Sequence, residues 1–385
     1  MTATLEKPIP LANSFTSNGT KHFWHQEKMQ QLRNGVGRPI CSTILITDVC
    51  QHSCAFCSVL TRSGATLPMS VIRGYLDQLC PLDLRAVVLS GAGNPILYRD
   101  KETGDGFNEV VVELKSRNLD VGLITNGQPL KQYEDGRISW RNVKPSTLDA
   151  ISWIRVSLAG LDHKEEECYI PEIDPSKTVL GMSYVAHDIY AAPEEPNHHK
   201  VSTPEDLIRF GADPNTKPVT FESRIPWLTD KLGEYVQKYS PEYLRILPNC
   251  LQPELIPQRC AQLQEIANAI DPTRVFVQNK QPRNTPHCYN GYPSPCLNTD
   301  QFVYPCTSVV LNPDADHKFA EPWRMCKWDE IGELYSQPVR SLIDDPATRC
   351  PSCVFYSVLN MLEGVVHGTE EMTPPDSEPV HSNFV

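Results

Sequence analysis

The chain has no apolar run long enough to span a bilayer; nothing approaches the ~18 consecutive apolar residues that a membrane helix needs. Its first residues, MTATLEKPIP, lack the basic-then-apolar layout of a secretory signal. Positive charge is also scarce. Formal net charge is −12 over 385 residues, and an acidic body repels polyanions, which speaks against a generic phosphate-tracking nucleic-acid binder. Internal repeats are missing as well. Together these absences predict a cytoplasmic protein with no membrane partner and no generic nucleic-acid binding. A small nucleotide, or a single base read in a pocket, remains compatible with them.

Cysteine, by contrast, is plentiful, with 14 in all. In a reducing compartment such residues are poor disulfide candidates and better metal or cluster ligands. Cys41, Cys80, Cys250 and Cys260 stand alone in apolar or helical patterns and read as core residues. Cys168 and Cys326 fall in expected loops. The informative cysteines are grouped. CQHSCAFC places Cys50, Cys54 and Cys57 on one short segment. A second group, Cys288, Cys296, Cys306, Cys326, Cys350 and Cys353, lies towards the C-terminal end.

Six apolar, β-branched runs punctuate the first two thirds: 42–47, 85–90, 121–125, 153–158, 180–185 and 243–248. Their continuous apolar character, without alternation, is that of strands buried on both faces of a parallel sheet. Helix-like segments separate them at Met69–Leu79, Gly106–Ser116 and Ile225–Tyr239, after a short helix within His22–Val36. The pattern predicts an α/β fold, an open or partial (β/α)6 barrel with the loops after each strand on one rim. The expected organisation is an N-terminal extension over 1–38, the α/β unit over 39–270, a cysteine-bearing C-terminal unit over 271–365 and a disordered acidic tail over 366–385. Within the α/β unit, 187–221 is a long insertion rich in proline and charge, read as a lid or excursion.

Three cysteines on one loop pose a chemical question. A structural zinc wants four protein ligands, and a cubane [4Fe–4S] cluster normally takes four thiolates. Three thiolates on such a cluster leave one iron open for a substrate or cofactor. At this point the sequence resembles a known family. Cys50-x3-Cys54-x2-Cys57, with Phe56 before the third cysteine, is similar to the signature of the radical S-adenosylmethionine (radical SAM) enzymes. The resemblance implies a [4Fe–4S] cluster whose open iron is chelated by SAM, and cleavage of SAM to a 5′-deoxyadenosyl radical that takes a hydrogen atom from substrate.

Other segments resemble the family over roughly residues 39–247. SGAGNP carries Gly91, Ala92, Gly93 and Asn94 where the family has a Gly-Gly-Glu-Pro type element. The resemblance implies glycines that let the backbone approach SAM, with Asn94 in place of the acid that accepts from the SAM ammonium; an amide oxygen can still accept one hydrogen bond. Asn126, in TNG, and Ser157, in IRVSLAG, stand at strand ends that face SAM in the family, and Ser183 is a further candidate. Taken alone, each is also an ordinary turn or strand residue.

The stretch CYNGYPSPCLNTDQFVYPC, followed by CPSC, resembles the auxiliary-cluster modules called SPASM domains in full and twitch domains when truncated. The truncated form fits better, and implies a β-hairpin/helix domain with a second [4Fe–4S] cluster on Cys288, Cys306, Cys350 and Cys353. Gln301 departs from the glycine usual in that hairpin. A zinc on the same thiolates is the alternative, and Cys296 is the alternative to Cys288; Cys326 is a further spare. The resemblance implies an oxidation, epimerisation or isomerisation of a small polar molecule such as a sugar or aminocyclitol, or of a peptide or modified nucleoside. It also implies a flavodoxin- or ferredoxin-type electron donor. Rival readings are modification of a nucleic-acid base and a non-catalytic zinc or iron–sulfur protein. No catalytic side chain is singled out by the sequence.

Overall fold

A computed structural model describes residues 15, 19–52, 54, 56–57, 62–128, 130–132, 138–162, 168–187, 221–249, 255–278, 281–282, 285–307, 323–343, 352–353 and 355–385. Cys350, Cys250 and nearly all of the expected insertion at 187–221 lie outside them.

The molecule is a mixed α/β fold on one large sheet. Strands form where the apolar runs predict: β1 Cys41–Leu45, β2 Ala86–Ser90, β3 Asp120–Thr125, β4 Trp153–Ser157, β5 Val179–Ala186 and β6 Tyr243–Pro248. They pair in sequence order and all in parallel. A seventh strand, β7 Val275–Val277, continues the parallel array beyond β6. At the opposite edge β8 Cys296–Leu297 pairs in parallel with β1, and β9 Phe302–Tyr304 and β10 Cys326–Lys327 follow antiparallel. The segment assigned from sequence to a separate C-terminal unit therefore supplies both edges of the main sheet, and a boundary at 270/271 cuts off a strand of the array. Strands of two or three residues carry too little periodicity to announce themselves.

The α-helices of six or more residues among the described residues are α1 Gln26–Arg33, α2 Met69–Leu79, α3 Phe107–Ser116, α4 Phe221–Tyr239, α5 Ile256–Ile270, α6 Ile331–Ser336 and α7 Tyr356–Val366. The N-terminal helix expected over His22–Val36 is split into a 3-10 turn, Gly19–Trp24, and α1. Gly35, at φ +81°, accounts for the stop just beyond α1. The C-terminal region is tied back to α2 through Gln78, which donates from Nε2 to the Trp328 carbonyl at 3.0 Å and accepts from the Gly332 amide at 3.0 Å.

The two faces of the sheet differ. Ile44, Val87, Leu89, Val121, Leu123, Ile154, Val156, Met182, Leu244 and Ile246 point one way and are fully buried in the principal core. Residues on the other face alternate with them and include Thr43, Val88, Ile124, Arg155, Ser157 and Arg245, all only partly buried. That second face is closed at the strands' N-terminal ends by aromatic rings. The Trp153 ring fills the space a side chain on Gly122 would need, and the Tyr243 ring does the same over Gly181. Phe15 stacks on Tyr243 at 4.6 Å between ring centroids, and Phe384 meets Trp153 edge-on at 5.4 Å.

Phe384 belongs to the segment expected to be disordered, and that expectation does not hold. Phe384 and Val385 are 6% exposed and part of the core, and Asn383 Nδ2 donates to Asp120 Oδ2 at 2.8 Å. The acidic, proline-rich composition of 368–380 masked two apolar residues at the very end. The hairpin joining β8 to β9 brings a second local finding. Gln301 adopts φ +66° there, and its amide donates to the Asn298 carbonyl at 2.9 Å. The turn thus demands the left-handed conformation that glycine supplies elsewhere, and Gln301 takes it at a cost.

Two stability predictions arise from these contacts. Phe384→Ala is expected to cost about 3 kcal/mol, as for other buried phenylalanines, measured by denaturant unfolding; an unchanged midpoint would show the tail is not part of the core. Gln301→Gly should stabilise by up to ~1 kcal/mol, the difference between left-handed strain and glycine's extra chain entropy. Destabilisation by this variant would mean the Gln301 side chain matters more than its backbone.

Candidate functional site

The loop after β1 leaves the sheet at Ile46 and is stitched at its base. Leu67 donates to the Ile46 carbonyl at 2.9 Å and Asp48 to the Ala65 carbonyl at 2.9 Å. Thr47 and Thr66 join through their hydroxyls at 3.0 Å. Asp48 Oδ2 accepts from both the amide and the hydroxyl of Ser63, at 2.8 and 2.7 Å. The cysteine segment thus hangs from a closed neck, at the C-terminal ends of the parallel strands.

Two neighbouring loops support it. The loop after β2 lies hard against it: Gly93 donates to the Thr47 carbonyl at 3.0 Å and Asn94 to the Val49 carbonyl at 2.8 Å. A Cβ on Gly93 would sit 2.2 Å from the Val49 oxygen and 2.4 Å from the Asp48 carbonyl carbon, so only glycine permits this approach. The loop after β3 supplies Asn126, whose Nδ2 donates to Cys50 Sγ at 3.6 Å and whose Oδ1 accepts from Gln51 Nε2 at 2.9 Å. Arg62, on the return limb of the cysteine loop, donates to Cys57 Sγ at 3.2 Å and to the His52 carbonyl at 2.7 Å, with Nε directed at the Ala92 carbonyl at 3.4 Å. Burial pushes the Cys50 thiol up, while the Arg62 guanidinium opposes that shift. Phe56 turns towards the end of β5, where its ring lies 5.0 Å from that of His187.

Asn94 does not stand where the sequence comparison put it. It is 2% exposed and its hydrogen bonds are internal. Thr125 Oγ1 donates to Asn94 Oδ1 at 2.8 Å, and Asn94 Nδ2 donates to Asn126 Oδ1 at 2.8 Å and to the Gln128 carbonyl. The amide is used as donor and acceptor at once, which a carboxylate cannot reproduce. This gives a physical reason for asparagine rather than aspartate here. Gly93 serves the loop-to-loop contact, Gly91 lets the loop fold back on the Gly93 backbone, and Ala92 is buried beside them. Ser157 and Ser183 face each other in register across β4 and β5, Ser183 buried and Ser157 partly exposed.

Cys288, Cys306 and Cys353 share one small buried cluster with Cys296, Leu45, Tyr304, Trp323, Ile343 and Leu359. Leu45 ends β1, so this second cysteine centre packs against the strand that leads to the first. Cys288 accepts from the Leu342 amide at 2.8 Å through its carbonyl, and Cys353 Sγ accepts from the Phe355 amide at 3.2 Å. Cys296 lies within β8, paired with Thr43 and Tyr304, and burial drives its thiol far up. Cys326 lies on β10, beside Val303 of β9.

Among the described residues, only His287, Glu363 and His367 bring three potential metal-ligand atoms within 4.8 Å of one another. Glu363 Oε1 meets His287 Nδ1 at 2.8 Å and His367 Nε2 at 3.2 Å. In each cysteine set, therefore, at least one sulfur pair is farther apart than 4.8 Å. Tetrahedral zinc, with Zn–S near 2.3 Å, requires sulfurs about 3.8 Å apart. Among the described residues, neither cysteine set is therefore gathered closely enough, as it stands, to hold a tetrahedral zinc.

Arg62, Gln51, Asp48 and His187 are the site residues that sequence reasoning missed. Only the i,i+4 spacing of Glu363 and His367 could have flagged the imidazole–carboxylate triad.

No family profile and no curated protein sequence matches the chain. Solved structures do resemble it, remotely. Streptococcus suis SuiB bound to S-adenosylmethionine aligns at 12% identity and TM-score 0.45, over 74% of this chain and 64% of SuiB. Native anSMEcpe with bound AdoMet and the Cp18Cys peptide aligns at 12% identity and TM-score 0.45, over 89% and 93% of the two chains. BtrN in complex with AdoMet and 2-DOIA aligns at 10% identity and TM-score 0.35, over 86% and 90%. This chain thus spans a little under two thirds of SuiB.

The Asn94 network predicts that Asn94→Asp loses about 2 kcal/mol of stability, because a carboxylate would face the Asn126 and Gln128 oxygens without a proton to donate. Thermal unfolding of the apo protein tests this; a neutral effect would show that the amide is not the tie between the three loops.

Proposed function

We propose that this chain is a radical SAM enzyme, and the observation that carries the reading is the three-thiol loop held between the loops after β2 and β3. Cys50, Cys54 and Cys57 would anchor a [4Fe–4S] cluster with one iron left for SAM. When bound, the cluster and SAM together supply a 5′-deoxyadenosyl radical able to take hydrogen from a substrate.

The chain's own residues bind, orient and shield. Hydrogen bonds from Asn126 to Cys50 and from Arg62 to Cys57 fix the direction of two ligand sulfurs. Ser157 and Ser183 offer adjacent hydroxyls on the inward face for the polar groups of SAM, and Gly91, Ala92 and Gly93 shape the rim beside them. Phe56 and His187 close one side of that rim with packed rings, limiting water near a reactive species. The consecutive parallel strands β1–β7 serve as a partial barrel in this reading, the loops after them forming its mouth.

The second cysteine centre is assigned to an auxiliary [4Fe–4S] cluster in a twitch-like unit, on Cys288, Cys306, Cys353 and Cys350. Cys296 is better suited to the wall than to ligation, since its strand pairing holds it inside β8. An auxiliary cluster would accept an electron in an oxidation or support the substrate during an isomerisation or epimerisation. A flavodoxin- or ferredoxin-type protein would serve as the electron donor. Among the described residues no helix is long and apolar enough to cross a membrane.

The reading is tested with single Cys50→Ala, Cys54→Ala and Cys57→Ala proteins, reconstituted anaerobically and reduced with dithionite. Formation of 5′-deoxyadenosine should fall to background in each. Wild-type yields from all three would contradict the assignment.

A further inference from the structure

The inward face of the sheet carries two arginines. Arg155 is the third residue of β4 and Arg245 the third of β6. The registers Arg155↔Gly181 and Ser183↔Arg245 put both on the face that carries Ser157 and Ser183, because in-register residues and those two apart share a side. From β5, the strand between them, this face receives only a glycine and a serine at these levels.

Neither guanidinium meets a carboxylate among the described residues. Arg155 lies over the Trp153 ring at 5.7 Å, and Arg245 donates from Nη1 to Gln278 Oε1 at 2.6 Å. The Nε of each is buried with no hydrogen-bond partner. The two charges also act on each other: burial first, then repulsion from Arg155, lowers the Arg245 pKa far below its ordinary value. Folded proteins rarely leave the buried nitrogens of a cation uncompensated, and an arginine pair does not escape by deprotonating. Among the described residues, the groups found against the pair are neutral: the Trp153 ring, Gln278 and Tyr243.

This face is bounded at both ends. Towards the strands' N-terminal ends lies the aromatic floor of Trp153 and Tyr243, backed by Phe384 and Phe15. Towards their C-terminal ends lie the serines and then the cysteine loop. Paired guanidiniums above an apolar floor match a group with two or three charged oxygens, which arginine grips with parallel hydrogen bonds.

We propose that Arg155 and Arg245 bind an anionic group of the substrate, a carboxylate or a phosphate, between the aromatic floor and the Ser157–Ser183 pair. The proposal rests on the reading of the rim as the SAM site, because SAM carries a carboxylate of its own. Depth separates the two sources. Arg155 lies two residues, ~6.6 Å along the strand, farther from the cysteine-bearing rim than Ser157, whereas a carboxylate that chelates the cluster is held at the rim. The substrate is therefore an acid or a phosphate ester, and it enters the inward face anion first.

Full-length protein is titrated with inorganic phosphate and, separately, succinate at constant ionic strength, with binding followed by calorimetry and thermal unfolding. Arg155→Gln, Arg245→Gln and the matching lysine variants are measured alongside, and SAM affinity is measured on the same samples. We expect saturable binding of at least one probe by the wild type, about tenfold weaker in each glutamine variant and partly retained with lysine. SAM affinity should stay within about threefold of wild type. Without added anion, Arg245→Gln should melt no lower than wild type, because it relieves a buried repulsion. Absence of probe binding in the wild type, or equal binding in the glutamine variants, would overturn the proposal. So would a tenfold loss of SAM affinity with probe binding unchanged, which assigns the arginines to SAM. Failure of the wild type to bind SAM, with the anion results as expected, would count against the radical SAM reading alone.

Discussion

The buried amide of Asn94 is the constraint on which the candidate site depends. It has no access to water, so its donor and acceptor must both find partners within the chain. Those partners are Thr125, Asn126 and the Gln128 carbonyl at the end of β3, with Gln51 Oε1 of the cysteine loop at 3.4 Å, while its own backbone is bonded to Val49 of that loop. One side chain thereby ties together the loops of three consecutive strands. Gly93 makes the tie possible by letting the second loop touch the first. The geometry of the thiols follows from this join, since Asn126 reaches Cys50 only because Asn94 fixes its other end.

The remainder of the fold positions that join. The fully buried face of the sheet is apolar and covered by helices, so the strands cannot slip without moving a whole row of side chains. The opposite face is free to carry polar groups, and it is there that the serines and arginines are found. Closing this face at one end with Trp153, Tyr243 and the C-terminal Phe384 leaves the cysteine-bearing end as the mouth. The second cysteine centre shares Leu45 with the start of the site loop, which couples the two centres through a single strand.

Much of this was legible in the sequence because it is encoded locally. The six apolar runs are long and β-branched, and the cysteine spacing is specific. Cys288, Cys306 and Cys353, distant in sequence, fall in one buried cluster of the structure. What could not be read is what depends on distant pairing. Strands β7 and β8 are too short to show a period, and Arg62 carries no spacing signal because the chain's return past the loop places it. The tail was misread because its acidic composition outweighed two terminal apolar residues. The resemblance gave Asn94 the role of an acceptor for SAM, whereas in the structure both ends of its buried amide are bonded within the chain.

The central claim is that Cys50, Cys54 and Cys57 hold a cluster with an open iron. EPR spectra of the reduced, anaerobically reconstituted protein, recorded with and without SAM, test it most directly. The account predicts that SAM alters the spectrum of wild type and of the Cys288/Cys306/Cys353→Ala variant, and leaves unchanged the spectrum of the Cys50/Cys54/Cys57→Ala variant. A wild-type spectrum indifferent to saturating SAM would contradict it.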